Sequence, residues 1–407
     1  MMDADIIIIG AGVVGCAVAR ELSRYQANIL VLEKGADVAE GASRANSGII
    51  HAGFDAVPGS VKARMNVQGA ALYPSWCSEL GVPCAFPGAL VLGFGQQDQL
   101  TLQKLYDQGV KSGVPGLRLL SAQEVLELEP AVNPGVSGAL LAETSGLVSP
   151  YEMTYALADH AAVNGVRFQR NTRVIRLERG GTGWSVMTDR GTLTCGTVIN
   201  CAGTASAGLH NMISPRPLHI VCRRGQYYLT DHLKPMPFTR TMFQCPTGMG
   251  KGVLVSPTVH GNLLLGPSAE DIPDAGDTST TREGLDGVLQ ACRLTWPQVS
   301  LRSLVTNFAG VRAHEEGGDF VIGRTEGAVN AYEAVGIESP GLSAAPAIAV
   351  YLADMISGDL RLNRKEEFLP PLPIKPFFRD MTVEQKIHAV AEDPMEGNIV
   401  CRCEVVT

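Results

Sequence analysis

Three glycines near the N-terminus are spaced for phosphate chemistry. They stand in Gly10-Ala11-Gly12-Val13-Val14-Gly15, and an acidic residue, Glu33, follows roughly twenty positions later. Gly10 permits a tight turn, Gly12 lets backbone approach a pyrophosphate, and Gly15 lets a helix sit close to a sheet. A helix starting here turns free N–H groups and a partial positive charge toward a phosphate. Glu33 is suited to accept hydrogen bonds from a ribose. At the other end of the chain, Cys401 and Cys403 stand two residues apart. Such a pair can hold metal or close a disulfide, and its spacing alone is only moderately specific.

The elements that must position the glycines are legible. Residues 5–9 form a short apolar run suited to a buried parallel strand, Cys16 to Tyr25 reads as a helix, and Asn28 to Leu32 as a second strand. Together they make a β-α-β unit. Further on, the pattern predicts helices over Ser60–Leu72, Pro150–Asn164, Arg282–Leu294 and Ala347–Ser357. It predicts strands over Val166–Leu177, Gly183–Asp189, Thr192–Cys201, Gln226–Thr230, Val253–Thr258, Leu263–Pro267 and Ala331–Gly336. Ser121 with Glu124 reads as a capping box. No internal repeat is present.

Composition narrows the class. The 407 residues are 45% hydrophobic and 18% charged, enough apolar material for a packed core. The 45 glycines exceed the usual level of about 7% without forming any repeat. They are expected at turns and at close backbone approaches. With 33 basic and 41 acidic residues the net charge is −8, and there is no basic run. That disfavours nucleic acid and anionic membrane as partners. No apolar stretch is expected to reach the ~18 residues of a transmembrane segment, and no signal peptide is read. Cys16, Cys195, Cys201, Cys222 and Cys292 sit in apolar surroundings, the pattern of reduced, buried thiols in a cytoplasmic protein.

The glycine motif does not distinguish nicotinamide from flavin dinucleotides. The stretch Gly41 to Gly53, small and polar after the second strand, looks like a loop that runs along a flavin. Several segments then carry a family resemblance: Asn46-Ser47-Gly48-Ile49-Ile50-His51-Ala52-Gly53-Phe54, Pro58-Gly59-Ser60-Val61-Lys62-Ala63-Arg64, Arg224-Gly225-Gln226-Tyr227-Tyr228, Ala309-Gly310-Val311-Arg312 and Gly336 through Pro346. Spread over nearly the whole chain, they resemble the D-amino-acid-oxidase-type flavoproteins. Within that superfamily they resemble the catalytic subunit of anaerobic-type glycerol-3-phosphate dehydrogenases and the L-2-hydroxyglutarate oxidases.

The resemblance implies an α/β fold, a Rossmann-like FAD-binding domain interleaved with an antiparallel-sheet α+β substrate domain. The FAD-binding parts are expected at 1–85, 146–215 and 309–365, the substrate parts at 86–145 and 216–308, and a tail at 366–407. It implies an FAD site formed by Gly10, Ala11, Gly12, Val14, Gly15, Glu33, Lys34, Arg44, Ala45, Asn46, Ser47, Gly48, Val174, Ala202, Gly203, Gly310, Arg312, Pro340, Gly341, Leu342 and Ser343. The implied reaction is hydride transfer from a carbon bearing OH or NH to flavin. Arg312 is the expected anion clamp, since a guanidinium fork matches a carboxylate or phosphate. His51 is the expected base. It also admits a hydrogen bond to the cofactor, or the covalent FAD link of dimethylglycine-dehydrogenase-type relatives. Gln226 and Tyr227 are expected to line the substrate pocket, with only one of Tyr227 and Tyr228 facing inward. Arg223 and Arg224 are expected to widen the positive field, and His314, Glu315 and Glu316 to form a solvated loop. The backbone at Ser339–Ser343, leading into the last helix, is expected to face the flavin.

In the glycerol-3-phosphate-dehydrogenase-like relatives, a C-R-C-E segment such as Cys401-Arg402-Cys403-Glu404 opens a domain resembling a [2Fe–2S] module. Four thiolates are needed for that cluster and two are present. A cluster is therefore expected only in a longer native chain, and truncation is the favoured explanation. The expected partners are a small anionic substrate and an electron acceptor, a carrier or a partner subunit. The leading substrates are sn-glycerol 3-phosphate, favoured by the tail, and L-2-hydroxyglutarate, with an amino acid or opine third. A non-catalytic electron-transfer subunit would not need both Arg312 and His51. The expected location is cytoplasmic or peripheral to a membrane.

Overall fold

The computed structural model describes residues 2–181, 183–246, 252–372, 378–402 and 405–407. Strand β1 (Ala4–Ile9), helix α1 (Val13–Leu22) and strand β2 (Ile29–Leu32) open the chain. β1 lies parallel to β2 on one side and to the strand Gly191–Asn200 on the other, with Ile8 opposite Val31 and Ile199. Arg167–Gln169 extends the parallel order beyond β2, and Ala331–Val335 extends it beyond Gly191–Asn200. Every residue of β2 is buried, as is all of β1 except Asp5, the sign of a sheet covered on both faces. Helices α1, α2 (Val61–Leu80) and α3 (Pro150–Val163) contribute to one core with Ile6, Ile8 and Val31. Each fully buried aliphatic side chain there stabilises by roughly 1.5–3 kcal/mol.

Among the described residues, the second sheet has nine strands. Its strand β3 (Ile220–Thr230) pairs antiparallel along its whole length with β5 (Leu304–Glu315), and at Cys222–Arg224 with the short β4 (Glu270–Ile272). Helix α4 (Arg282–Thr295) packs beneath it through Leu285, Val288, Leu289 and Cys292. One pair departs from the antiparallel expectation: Thr241–Gln244 runs parallel to Ala89–Gly93. The two sheets draw on alternating stretches of chain.

Several elements differ from their sequence limits, each for a local reason. Val166–Leu177 is two strands, because Asn171 (φ 51°) turns the chain and residues 171 and 172 donate to the carbonyls of Gly35 and Glu33. Helix α2 runs through Pro74 to Leu80, since Tyr73, Trp76, Cys77 and Leu80 prolong its buried stripe past the proline. Helix α5 (Gly341–Leu360) starts six residues before the expected Ala347 and contains Pro346. A proline removes the hydrogen bond to the carbonyl four residues earlier. That carbonyl, Leu342 O, instead accepts the Tyr73 hydroxyl at 2.7 Å.

Helix α5 also overturns the expectation about membrane spans. With 20 residues and a hydropathy of 1.3 it is long and apolar enough to cross a membrane. Its apolarity has another use here: Ala344, Ala345, Ile348, Ala349, Leu352 and Ile356 are fully buried in the core shared with α1 and α2.

The chain divides into two compact units, Met1–Pro370 and Pro371–Thr407. The first therefore reaches beyond residue 365. Leu369 is held by Asn164 and His160, and Asn363 and Lys365 by the backbone next to Tyr25. The second unit contains a helix, Val383–Glu392, with a Thr382/Gln385 capping box. Cys401 bridges to Val406 there, whereas Cys403 lies outside the described residues. Cys16, Cys77, Cys84, Cys195, Cys201, Cys222, Cys245 and Cys292 are free thiols, and no metal-binding cluster occurs among the described residues. Cys222 is half-buried rather than buried.

Candidate active site

The N-terminal glycines do different jobs. Gly10 has φ +102°, and a Cβ there would lie 2.5 Å from the Cys201 carbonyl oxygen. At Gly15 a Cβ would lie 1.9 Å from Gly10 O, so the helix meets the turn in backbone contact. Helix α1 starts at Val13, and its N-cap residue, Gly12, has no side chain to cap it. Glu33 is held in place from behind: its carboxylate accepts the N–H groups of Ala11 (2.7 Å) and Gly35 (2.8 Å). Ser43, which the motif does not signal, accepts the Val13 N–H at 2.8 Å and anchors the following loop to the first turn of α1.

These groups border a cavity of about 1700 Å³. A small-ligand site is usually roughly 300–1,000 Å³, so a dinucleotide and a small substrate can share this one. Gly10, Gly12, Val14, Glu33, Lys34, Arg44, Ala45, Asn46, Ser47, Ala202, Gly203, Gly310, Arg312, Pro340, Gly341 and Leu342 line it. Such a glycine cradle at a helix start, with a fixed carboxylate beside it, suits the phosphates and ribose of FAD. Five expected cofactor residues lie behind the wall instead. Ala11 and Gly15 pack at the turn, and Gly48 (φ +64°) would meet Val148 O at 2.5 Å if it carried a Cβ. Val174 belongs to the strand after the Asn171 turn and packs against a separate apolar cluster. Ser343 Oγ accepts the His51 N–H (2.8 Å) and donates to Ile49 O (3.2 Å).

The far end of the cavity is built on the β3–β5 pair. Arg223 stands opposite Arg312, Gly225 opposite Gly310 and Tyr227 opposite Phe308. On β3 alternation sends Arg223 and Tyr227 to the cavity and Arg224 and Gln226 away from it, whereas β5 borders the cavity continuously from Asn307 to Ala313. Tyr227 and Phe308 stack at 4.9 Å, and both line the cavity. Burial pushes the Tyr227 hydroxyl up, against the pull of the Arg312 charge. Arg223 forms a two-pronged pair with Asp271 (2.6 and 3.1 Å). Arg312 donates to two backbone carbonyls, Ser268 O (3.1 Å) and Arg223 O (3.5 Å). Among the described residues it forms no salt bridge with a carboxylate, although its charge helps hold the Asp271 carboxyl below its usual range.

The other strand face corrects two expectations. Gln226 does not reach the cavity: its amide donates to Thr281 Oγ1 (3.1 Å) and accepts the Thr281 N–H (2.7 Å) at the start of α4. Arg224 turns the same way and contributes no lining group. His314 and Glu315 are in β5 rather than a solvated loop.

His51 is 8% exposed and lines the cavity. Its ring stacks on Phe243 at 5.6 Å, and Nε2 is 3.4 Å from Ser339 Oγ. Next to Ser339, Glu338 accepts from Lys62 Nζ and meets His314 Nδ1, both at 2.9 Å. Burial raises the Glu338 carboxyl, but Lys62 and His314 outweigh it and hold the group below its usual range. Lys62, Phe243 and Glu338 are lining groups that sequence reasoning gave no role. Lys62 stood inside a quoted segment, and only its place at the start of a helix facing the cavity could have singled it out.

A family model described as FAD dependent oxidoreductase matches residues 5–355. A glycerol 3-phosphate dehydrogenase from Caloramator mitchellensis is 43% identical over 404 residues, 99% of this chain and 84% of that protein. A mitochondrial L-2-hydroxyglutarate dehydrogenase from Arabidopsis thaliana is 29% identical, over 86% of this chain and 83% of its own. The dithionite-reduced L-alpha-glycerophosphate oxidase of Mycoplasma pneumoniae, solved with FAD bound, superposes with a TM-score of 0.87 at 29% identity, covering 92% of this chain and 99% of the other.

Proposed function

The chain belongs to the FAD-dependent oxidoreductase family, and on that footing we propose that it oxidises the secondary hydroxyl of sn-glycerol 3-phosphate. One observation carries the reading: Arg312 faces the cavity, bound only to carbonyls, directly across the strand pair from Arg223. A guanidinium so placed suits a small anion, and the relatives that act on glycerol 3-phosphate make phosphate the anion of choice.

Bound FAD supplies the two-electron oxidant. Gly10, Gly12, Glu33, Arg44, Gly203 and Gly341 are the residues we assign to hold it. Arg312 fixes the substrate by its phosphate. His51 Nε2 takes the hydroxyl proton, with the ring kept in place by Phe243, the Ser343 hydroxyl at its backbone and Ser339 at its edge. Tyr227 and Phe308 supply an apolar wall that excludes water beside the reacting carbon. The carbon becomes a ketone as its hydrogen leaves with the electron pair to that oxidant, and a carrier or partner subunit would take those electrons on. A [2Fe–2S] cluster could take part only where further thiolates join Cys401 and Cys403.

The test is anaerobic mixing of the purified yellow protein with glycerol 3-phosphate, L- and D-2-hydroxyglutarate, lactate and amino acids, following loss of the visible flavin absorbance. Bleaching is expected with glycerol 3-phosphate at the lowest concentration. Faster bleaching by L-2-hydroxyglutarate would replace this substrate with that one. No bleaching by any donor would leave a flavin-binding subunit. Slow return of colour in air after reduction is the outcome expected if a carrier takes the electrons.

A further inference from the structure

The segment between β4 and α4 borders the end of the cavity that carries Arg223 and Arg312. Ala275, Gly276, Thr278, Ser279 and Thr280 all line it. This stretch has no regular structure, and its internal hydrogen bonds are short-range turns on Asp274 and Asp277. Its position is therefore set from outside, and the outside groups are specific.

Arg224 is the main one. It is 4% exposed and lies on the face of β3 turned away from the cavity. Nη1 donates to Asp277 Oδ2 (2.7 Å), Ser279 Oγ (3.1 Å) and Ser279 O (3.2 Å). Nη2 donates to Glu270 Oε2 at 2.7 Å. One guanidinium thus ties the segment, at Asp277 and Ser279, to Glu270 of β4 from behind the sheet. Gln226 holds its last residue, Thr281, from the same face, and Thr280 is tied to Asn307 of β5 at 2.8 Å. On the cavity face, Arg223 pairs with Asp271 of β4. The planar fork of arginine can satisfy these diverging acceptors at once, which a lysine cannot.

We propose that Arg224 is a positioning residue that clamps segment 273–281 as the wall of the substrate end, and so sets how tightly the small anionic substrate is held. This rests on the reading that the Arg312 end of the cavity receives substrate. The residue touches neither cavity nor substrate and acts only through the segment. Loss of the clamp leaves Arg312 and His51 in place and widens the space around the ligand. Its signature is weaker binding rather than slower chemistry.

The experiment uses the full-length holoenzyme with Arg224→Met, Arg224→Lys and the milder Asp277→Asn. Hydrogen exchange over residues 270–281 is measured without substrate. Stopped-flow flavin reduction then separates the donor Kd from the limiting rate. Arg224→Met is expected to exchange at least about tenfold faster in that segment and to raise Kd roughly tenfold, with the limiting rate within about threefold. Arg224→Lys should restore part of both. Should Arg224→Met fail to fold, Asp277→Asn must show the same two changes at smaller size. Unchanged exchange, or a fall in limiting rate at constant Kd, overturns the clamp. Failure of glycerol 3-phosphate to reduce the wild-type flavin overturns only the substrate reading, because the exchange result does not depend on the donor.

Discussion

At the scale of single residues, the proposed chemistry depends on how two side chains are held. Arg312 is braced by carbonyl oxygens, which orient a guanidinium without neutralising it. Arg312→Ala is expected to lose about 100-fold or more in kcat/KM through KM, near 3 kcal/mol, while FAD stays bound. Turnover at the wild-type KM would remove it as the clamp. His51→Ala is expected to slow anaerobic flavin reduction by roughly 10²–10⁴ and to change the pH profile of that step. An unchanged pH profile would exclude His51 as the base. The sequence could point to both residues because each sits in a segment with a family likeness. It could not show that Gln226, two positions from Arg224 on the same strand, faces away. A period of two leaves open which set points inward, and the Arg223–Arg312 register decides it.

At the scale of elements, close backbone approaches position the site. A Cβ on Gly310 would lie 2.1 Å from Ala45 O, so β5 and the loop beginning at Gly41 touch where both line the cavity. Gly310→Ala should push that loop outward, costing about 1–3 kcal/mol of stability and weakening FAD retention. Thermal melts and the flavin-to-protein absorbance ratio check both, and a wild-type ratio would show the contact to be unimportant. The β-α-β unit and capping box were legible because they follow local rules. The limits of α2 and α5 were not, because tertiary packing carries each helix past a proline that local rules read as a stop. For Pro346 the compensating group, Tyr73, is far away in sequence.

At the scale of the molecule, residues 363–369 are fastened to α1 and α3 through a buried histidine. His160 Nδ1 accepts from Arg20 Nε (3.1 Å), and its Nε2 reaches Leu369 O at 2.9 Å. Burial lowers its affinity for a proton, and the Arg20 and Arg24 charges add to that, together outweighing the bond to the Leu369 carbonyl and the Glu79 charge. The folded-state pKa is thus below the unfolded value of 6.5. Stability from the neutral ring is full above that value and is lost as pH falls through the folded pKa. The melting temperature should therefore drop from about pH 7 toward pH 5. His160→Gln keeps one acceptor and one donor without titrating, and it should flatten that slope. An equal slope in the variant would assign the acid sensitivity elsewhere.

The alternation of the two sheets along the chain also bears on how the protein is made. β1 and β2 are synthesised first, yet the partner strand Gly191–Asn200 and its neighbour Ala331–Val335 arrive much later. The nucleotide cradle leans on Cys201 and on the start of α5 at Gly341. Pairings so distant in sequence are slow to form. A nascent chain must wait, with its first β-α-β unit incomplete, until most of the polypeptide has left the ribosome. Flavin capture is then a late event in biogenesis, and chains stopped before residue 330 should emerge colourless.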